Sequence, residues 1–204
     1  MNDWTGNKNS IFKTIAASNH CTDERQEHDY YATDPKAVDA LIKKENLEHE
    51  LWEPACGEGH LSKRLIELGH NVLATDLIYR NYGWGGVDFL LKKDIFHGSI
   101  ITNPPYKYCT EFILKALELI TTGHHVYMFL KLTALEGKDR YDRIYSKHPP
   151  KKVYVFSKRI VCAKNGVFEV QNNKGESVKV SSAVAYAWYV WEKGYNGPTI
   201  IEWI

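Results

Sequence analysis

The sequence lacks any pair of cysteines at metal-binding spacing and any apolar run long enough to cross a membrane. Its four cysteines stand at positions 21, 56, 109 and 162 without a CxxC pair, which argues against a zinc site and a disulfide framework. No apolar run approaches the ~20 residues of a membrane span. The first residues, MNDWTGNKNSIFKT, lack the basic-then-apolar pattern of a secretory signal. These absences predict a cytoplasmic protein with no metal and no membrane partner.

A chain of 204 residues with 44% hydrophobic and 25% charged residues is typical of a single globular domain. The net charge is only +1, but it is unevenly distributed. Between Lys131 and Lys164 there are ten basic and three acidic residues, a net charge of +7, and the rest of the chain carries −6. Such a segment can attract a polyanion, or it can be a solvated helix face. The candidate phosphate contacts are Lys131, Lys138, Arg140, Arg143, Lys158 and Arg159.

Residues 1–29 are polar and poorly periodic, which predicts an irregular N-terminal arm. Residues 30–204 are then a single domain, with a small basic and hairpin insertion at about 133–180. The domain begins with a helix, because Asp34 suits the N-cap and Pro35 the first helical position. A basic helix is expected later in the chain, at about 136–147.

Beyond the helix that begins at Asp34 and Pro35, strand and helix patterns alternate, which predicts an α/β fold with a mostly parallel sheet and helices on both faces. In such sheets, ligands bind beyond the carboxyl ends of the strands. The turns at 56–59 and 103–106 both follow strands, so they should share one cleft. The predicted strands are 50–55, 71–76, 99–103, 125–132, 152–157 and 182–194, and the predicted helices between the first strands are 60–69 and 111–120.

The segment EPACGEG, residues 53–59, has the pattern of a cofactor-binding turn. Gly57 and Gly59 would let the backbone approach a ligand at a helix N-terminus. Asp76 ends the next strand, where an acid can accept ribose hydroxyls. Asp88 and Phe89 could offer a carboxylate and a backbone N–H to an adenine ring. A nicotinamide enzyme follows the same logic, but it expects GxGxxG, whose third glycine is missing here.

The quartet Asn103-Pro104-Pro105-Tyr106 follows a buried strand and has a rigid backbone. The amine of a nucleobase is a weak nucleophile because its lone pair is conjugated into the ring. The Asn103 side-chain oxygen and the Pro104 carbonyl could accept its two hydrogens, held at fixed separation by the prolines. The Tyr106 ring could stack on a base that has been flipped out of a duplex.

Together these motifs resemble the S-adenosylmethionine-dependent N6-adenine DNA methyltransferases, in the form found in phages and mobile elements. The resemblance extends from about residue 15 to the end of the chain, including DYYATDPKAV, residues 29–38. It implies a seven-stranded class I methyltransferase fold, S-adenosylmethionine as cofactor and DNA as partner. The cofactor contacts that it implies are Tyr31, Thr33, Glu53, Ala55, Gly57, Gly59, Asp76, Asp88 and Phe89; the catalytic residues are Asn103, Pro104, Pro105 and Tyr106.

The chain departs from this family in having no separate target-recognition domain of the usual size. Only 133–150 and a hairpin at 159–180 could read sequence, which favours an enzyme with a short or relaxed site. Phe168 in that hairpin is either a second wall for the flipped base or a packing residue. The same chemistry could act on RNA adenine or on a protein glutamine amide. A non-catalytic binding subunit is a further alternative, although the intact Asn103, Asp76 and Asp88 argue against it.

Overall fold

The structure is a computed structural model that describes residues 31–164, 168–171, 177–179, 182 and 184–204. The predicted N-terminal arm lies outside the described residues, as do parts of the predicted hairpin. None of the helices in the described ranges has the length and apolar character that a bilayer span requires.

Short strands and helices alternate along the described chain. The strands are β1 (Tyr31–Thr33), β2 (Glu50–Glu53), β3 (Asn71–Ala74), β4 (Ser99–Thr102), β5 (His125–Lys131), β6 (Lys152–Val155), β7 (Cys162–Lys164), β8 (Glu169–Gln171), β9 (Ser177–Lys179), β10 (Tyr186–Glu192) and β11 (Ile200–Trp203). The helices are α1 (Lys36–Leu41), α2 (His60–Glu67), α3 (Cys109–Leu119) and the short α4 (Lys138–Arg140), which continues as a π-helical turn over Tyr141–Tyr145.

The principal sheet of the described chain has seven strands in the order β11–β6–β10–β5–β4–β2–β3. All neighbouring pairs are parallel except those made by β10, which runs antiparallel to both β5 and β6. The predicted α/β class with a mostly parallel seven-stranded sheet is therefore confirmed. The edge strand β11 was not predicted from the sequence pattern.

Both faces of this sheet are covered. Successive side chains of β10 alternate between the hydrophobic clusters on the two faces of the sheet. Trp188 packs on one face and Trp191 on the other, and both are buried. Helix α3 covers one face, and α1 with α2 covers the other. The Trp188 indole also donates to the Ala37 carbonyl of α1 at 2.8 Å. The prediction that both tryptophans belong to the core is confirmed.

The start of the domain is tied to the segment after β6. Strand β1 pairs antiparallel with β7, with Tyr31 opposite Lys164 and Thr33 opposite Cys162. Strands β8 and β9 form a separate antiparallel pair. Within the described residues of the predicted hairpin at 159–180, β8 pairs with β9, whereas β7 pairs with β1.

Helix boundaries follow local capping chemistry in part. The Asp34 carboxylate accepts from the Lys36 backbone N–H at 3.0 Å, which fits its predicted capping role at α1. The predicted basic helix at 136–147 is shorter, since α4 and its π-helical turn span only Lys138–Tyr145. The Gly137 backbone, with φ of 122°, sets its start.

Candidate active site

A cavity of about 930 Å³ opens at the sheet edge where β2, β4 and β5 end. This volume lies in the ~300–1,000 Å³ range of small-molecule sites. The structure brings residues that lie far apart in the sequence to its wall. The predicted site residues that line the cavity are Tyr31, Thr33, Glu53, Ala55, Asp76, Asp88, Phe89, Asn103, Pro104, Pro105, Tyr106 and Lys131. Gly57 and Gly59 do not line it.

The turn after β4 fixes the backbone of the proline pair. The Pro105 carbonyl accepts from the Tyr108 N–H at 2.9 Å in a short helical turn that leads into α3. Among the described residues, no backbone N–H donates to the Pro104 carbonyl. The turn therefore uses the second proline for its own hydrogen bond and leaves the first proline's carbonyl as an available acceptor.

The Asn103 carboxamide is held by its nitrogen. Nδ2 donates to the Thr33 hydroxyl at 2.9 Å and to the Tyr31 carbonyl at 3.2 Å. A backbone carbonyl can only accept, so the group that faces it must be the NH₂ end of the amide. Oδ1 is buried and has no hydrogen-bond partner within the described part of the chain. An unpaired buried acceptor costs roughly 1–3 kcal/mol, so it marks a place where a donor is expected.

Tyr106 is anchored beside this amide. Its hydroxyl donates to Tyr186 Oη at 3.3 Å or to Cys162 Sγ at 3.6 Å, and burial raises its pKa well above the ordinary value. The Lys131 ammonium lies 4.4 Å from the centre of the Tyr106 ring. One face of the ring is therefore covered by a cation, and a base that stacks on that face must displace Lys131.

In the other half of the cavity, Glu53 is 2% exposed. Its Oε2 accepts from the Ser62 N–H at 2.9 Å and from the Ser62 hydroxyl. Burial raises the pKa of Glu53 to about 8; the two Ser62 hydrogen bonds oppose this rise, and the negative charge of Asp76 adds to it. The carboxyl is therefore mostly protonated at neutral pH in this state, and a cation bound beside it would favour its ionised form.

Asp76 is also buried and already has several donors. Oδ2 accepts from the Gly57 N–H at 2.8 Å, and Oδ1 accepts from the Ile78 N–H at 2.9 Å and from Arg80 at 3.2 Å. An ionised carboxylate has about four lone-pair positions. It can therefore accept one more hydroxyl as it stands, and two if Arg80 withdraws.

Gly57 and Gly59 contact protein groups and do not form part of the cavity wall. The Gly57 N–H is used by Asp76, and Gly59 has a φ of 80° with the Tyr82 ring against it. A Cβ on Gly59 would lie 2.3 Å from Tyr82 Cδ1. The expected close approach of these two glycines to a ligand is replaced by close approach to protein groups.

Asp88 and Phe89 form the far wall. One Asp88 oxygen, Oδ1, accepts from the Leu90 N–H at 2.9 Å and caps a short helical turn. The Phe89 ring is buried and packs edge-on against Trp52, with centroids 5.2 Å apart. Phe168 packs against His60, with centroids 5.4 Å apart, and His60 lines the cavity together with Glu53.

Apart from Lys131, which lines the cavity, the predicted phosphate contacts fall into two groups. Lys138 pairs with Asp142 at 3.3 Å, and Arg143 pairs with Glu111 at 2.9 Å. Arg140 donates to the Ala134 and Thr133 carbonyls at 2.9 and 3.2 Å. These three side chains are occupied within the protein, which favours the alternative of a solvated, internally paired helix.

Lys158 and Arg159 differ from this group. Both are exposed, and neither forms an ion pair with another residue in the described ranges. They follow β6, which runs in the same direction as β5 because each is antiparallel to β10. The two residues therefore lie after a strand that ends at the same sheet edge as the cavity.

Sequence reasoning missed three residues that shape the site. Arg80 pairs with Asp76 four residues earlier, a spacing that could have signalled it. Cys162 lies 3.8 Å from Asn103 Nδ2, and burial raises the pKa of its thiol. Tyr186 stacks on Phe129, with centroids 5.0 Å apart, and meets the Tyr106 hydroxyl. Nothing local in the sequence pairs Cys162 with Asn103 or Tyr186 with Tyr106, because these contacts span 59 and 80 residues.

No protein-family model and no curated protein matches this sequence. Solved structures do match. A protein of Listeria monocytogenes, provisionally assigned as a class I S-adenosylmethionine-dependent methyltransferase, superposes with a TM-score of 0.53 and 11% identity, over 83% of this chain and 65% of that one. A provisionally assigned RNA methyltransferase of Pyrococcus horikoshii gives 0.53 and 15%, over 78% and 81%.

The modification subunit of a provisionally assigned type I restriction enzyme from Vibrio vulnificus gives a TM-score of 0.55 and 12% identity, over 85% of this chain and 46% of that one. This chain therefore spans less than two thirds of the Listeria protein and less than half of the Vibrio subunit. At identities of 11–15% such likeness establishes architecture alone. The chain has the Rossmann-like fold of the class I methyltransferases.

Proposed function

We propose that this protein transfers a methyl group from S-adenosylmethionine to the exocyclic N6 amine of adenine in DNA. The observation that carries the proposal is the Asn103 carboxamide. Its nitrogen is held by Tyr31 and Thr33, its oxygen is buried and has no hydrogen-bond partner among the described residues, and Asn103 itself lines the cavity. An amine donor fits this acceptor.

The residues of the cofactor half fit S-adenosylmethionine. Three carboxyl groups, those of Glu53, Asp76 and Asp88, line one side of a cavity of about 930 Å³. Carboxylates suit a ligand that has a cationic amino-acid part, ribose hydroxyls and an adenine amine. The cofactor would supply a methyl group on a sulfonium centre, an electrophile that a sufficiently electron-rich nitrogen can attack. Tyr31, Ala55 and Phe89 are the further contacts that we propose.

On the acceptor side, the chain's own oxygens perform the activation. Asn103 Oδ1 and the Pro104 carbonyl each accept one hydrogen of the NH₂ group, which directs the nitrogen lone pair out of conjugation and toward the methyl donor. Neither oxygen is a base that keeps a proton, so the proton lost on methylation leaves to solvent. Because Pro104 and Pro105 fix the backbone, the two acceptors need no rearrangement as the reaction proceeds.

An adenine in a nucleic acid is favoured over a protein glutamine amide by two features. Tyr106 and its neighbours give the cavity an aromatic wall on which a flipped base can stack. Lys131 at this wall, and Lys158 with Arg159 at the same sheet edge, can contact phosphates. A glutamine amide would use neither feature, whereas an RNA adenine would use both.

The test is a labelled-methyl assay of the purified protein on DNA, RNA and protein acceptors, followed by nucleoside analysis of the labelled product. We expect N6-methyladenine in DNA. Asn103→Ala should lower the rate by about 10²-fold or more, in line with the loss of one preorganised hydrogen-bonding group. Its affinity for the cofactor, measured by calorimetry, should change by less than about twofold because Asn103 acts on the acceptor.

The matched control is Asn71→Ala, which removes an exposed asparagine side chain on β3 that donates to Glu50. It should retain the parental rate. Wild-type turnover in Asn103→Ala would show that Asn103 does not activate the acceptor amine. Label found only in RNA or only in protein would support methyl transfer but contradict DNA as the substrate.

A further inference from the structure

We infer that Thr33 is a positioning residue that, together with the Tyr31 carbonyl, holds the Asn103 carboxamide in one orientation. This inference rests on the proposed function for its catalytic meaning, but the contact itself can be tested without any reaction. It differs from the role that the resemblance implies for Thr33, which is a contact to the cofactor.

The chemistry of Asn103 depends on which end of the amide faces the cavity. A half-turn about the last side-chain bond exchanges Oδ1 and Nδ2, which are nearly equal in size and shape. With the oxygen toward the cavity, the side chain accepts a hydrogen from an amine. With the NH₂ group there, two donors would face each other, and the acceptor amine would be repelled. A proline-fixed backbone does not distinguish these two states, so a separate contact must do so.

Strand β1 provides that contact. The Tyr31 carbonyl can only accept and therefore selects the NH₂ end of the amide, and the Thr33 hydroxyl adds a second hydrogen bond that holds this end in place. The Thr33 side chain is buried, with 2% of the residue exposed. Its hydroxyl accepts from Nδ2 at 2.9 Å, the shorter of the two hydrogen bonds to oxygen that hold the amide. The Tyr31 carbonyl, at 3.2 Å, is the other anchor and cannot be removed by a side-chain substitution. Both anchors lie on the same three-residue strand, so β1 as a unit selects one amide orientation.

The position of β1 is set in turn by β7. Thr33 is directly opposite Cys162, whose Sγ lies 4.0 Å from the Thr33 hydroxyl and 3.8 Å from Asn103 Nδ2. Burial raises the pKa of Cys162, so its thiol stays neutral and does not compete as a strong acceptor for the amide. The Thr33 hydroxyl is therefore the strongest side-chain partner that the described residues offer to Nδ2.

The test compares Thr33→Val, which removes the hydroxyl at nearly constant volume, with Thr33→Ser, which keeps it. Thr102→Val is the matched control, because Thr102 is also buried and its hydroxyl has no hydrogen-bond partner within the described ranges. Three quantities are measured in each protein. They are the hydrogen-exchange rate of the Asn103 side-chain NH₂ by NMR without substrate, the affinity for S-adenosylmethionine, and the single-turnover methylation rate on DNA.

We expect Thr33→Val to speed exchange of the Asn103 NH₂ and to slow single turnover, each about tenfold, the equivalent of one neutral hydrogen bond. Cofactor affinity should stay within about twofold of the parent. Thr33→Ser and Thr102→Val should match the parent in all three measurements. If Thr33→Val does not fold, Thr33→Ala is used in its place. The same faster NH₂ exchange and slower single turnover are expected of it.

Unchanged NH₂ exchange in Thr33→Val would overturn the inference, and so would a loss of cofactor affinity with the NH₂ protection intact. An equal loss in Thr33→Ser would overturn it as well, because the hydroxyl would then be irrelevant. Failure of the parent protein to methylate DNA would refute the proposed function, while the exchange measurement would still decide the role of Thr33.

Discussion

The buried carboxyl of Glu53 should make the stability of the protein fall as pH rises, and Glu53→Gln should remove that fall. Burial raises the pKa of this group from 4.5 to about 8, more than the opposing hydrogen bonds from Ser62 lower it. Glutamine has the same shape, can still accept from the Ser62 N–H and does not titrate. The comparison therefore isolates one proton.

The sign follows from which state holds the proton. Between pH 4.5 and about 8 the unfolded chain has lost the Glu53 proton, while the folded protein still holds it. Raising the pH therefore favours the unfolded state, by ~1.4 kcal/mol for each pH unit in that window. Across the whole window the wild-type protein should lose about 5 kcal/mol relative to Glu53→Gln, and between pH 5.5 and 8 about 3 kcal/mol.

The assay is urea unfolding followed by tryptophan fluorescence at several values between pH 5.5 and 8.5, with the six tryptophans as probes. The quantity of interest is the difference in unfolding free energy between Glu53→Gln and the parent, which should grow with pH. Glu67→Gln, on the exposed side of the same helix as Ser62, is the control. A difference that stays flat from pH 5.5 to 8 would show that folded Glu53 is already ionised, and the buried-acid argument would fail.

Two further predictions concern a glycine and the basic surface. Gly59→Ala should lower the unfolding free energy by at least about 1–2 kcal/mol, because φ is 80° and the new Cβ meets the Tyr82 ring; unchanged urea denaturation would contradict this. Replacing Lys158 and Arg159 together with alanine should reduce the slope of log K against log salt for DNA binding by about 2. Lys138→Ala, which removes a side chain already paired within the protein, should leave the slope unaltered, and an equal loss in both variants would put the phosphate contacts elsewhere.

The architecture could be predicted because alternation of apolar segments and turns is a local property. Strands β2, β4 and β5 are short apolar runs, each followed by a turn, and these signals place their carboxyl ends at one edge. Strand β11 was missed although three of its four residues are apolar, because four residues are too few to show a period, and its place in the sheet is set by pairing with β6. The basic helix was predicted too long, since charge and periodicity do not specify a π-helical turn.

The composition of the site could be predicted better than its internal contacts. Motif order identified Asn103 as a cavity residue, but not what holds its amide. That depends on β1 pairing with β7 across more than 120 residues, and strand partners are chosen by tertiary packing. The glycine turn shows the same limit. A positive φ at Gly59 has the same sequence signal whether a ligand or the Tyr82 ring lies against it.

The nicotinamide alternative fails on geometry that the sequence only hinted at. The doubly wound dinucleotide-binding sheet is mostly parallel, and the third glycine of its turn allows the helix to pack closely on the strand. Here β10 runs antiparallel between β5 and β6. Position 62, where that third glycine would stand, is Ser62, and its N–H and hydroxyl both donate to Glu53. The turn is therefore built to hold a buried acid at the cavity wall, which suits a cation, whereas a pyrophosphate would meet Glu53 and Asp76 at that wall.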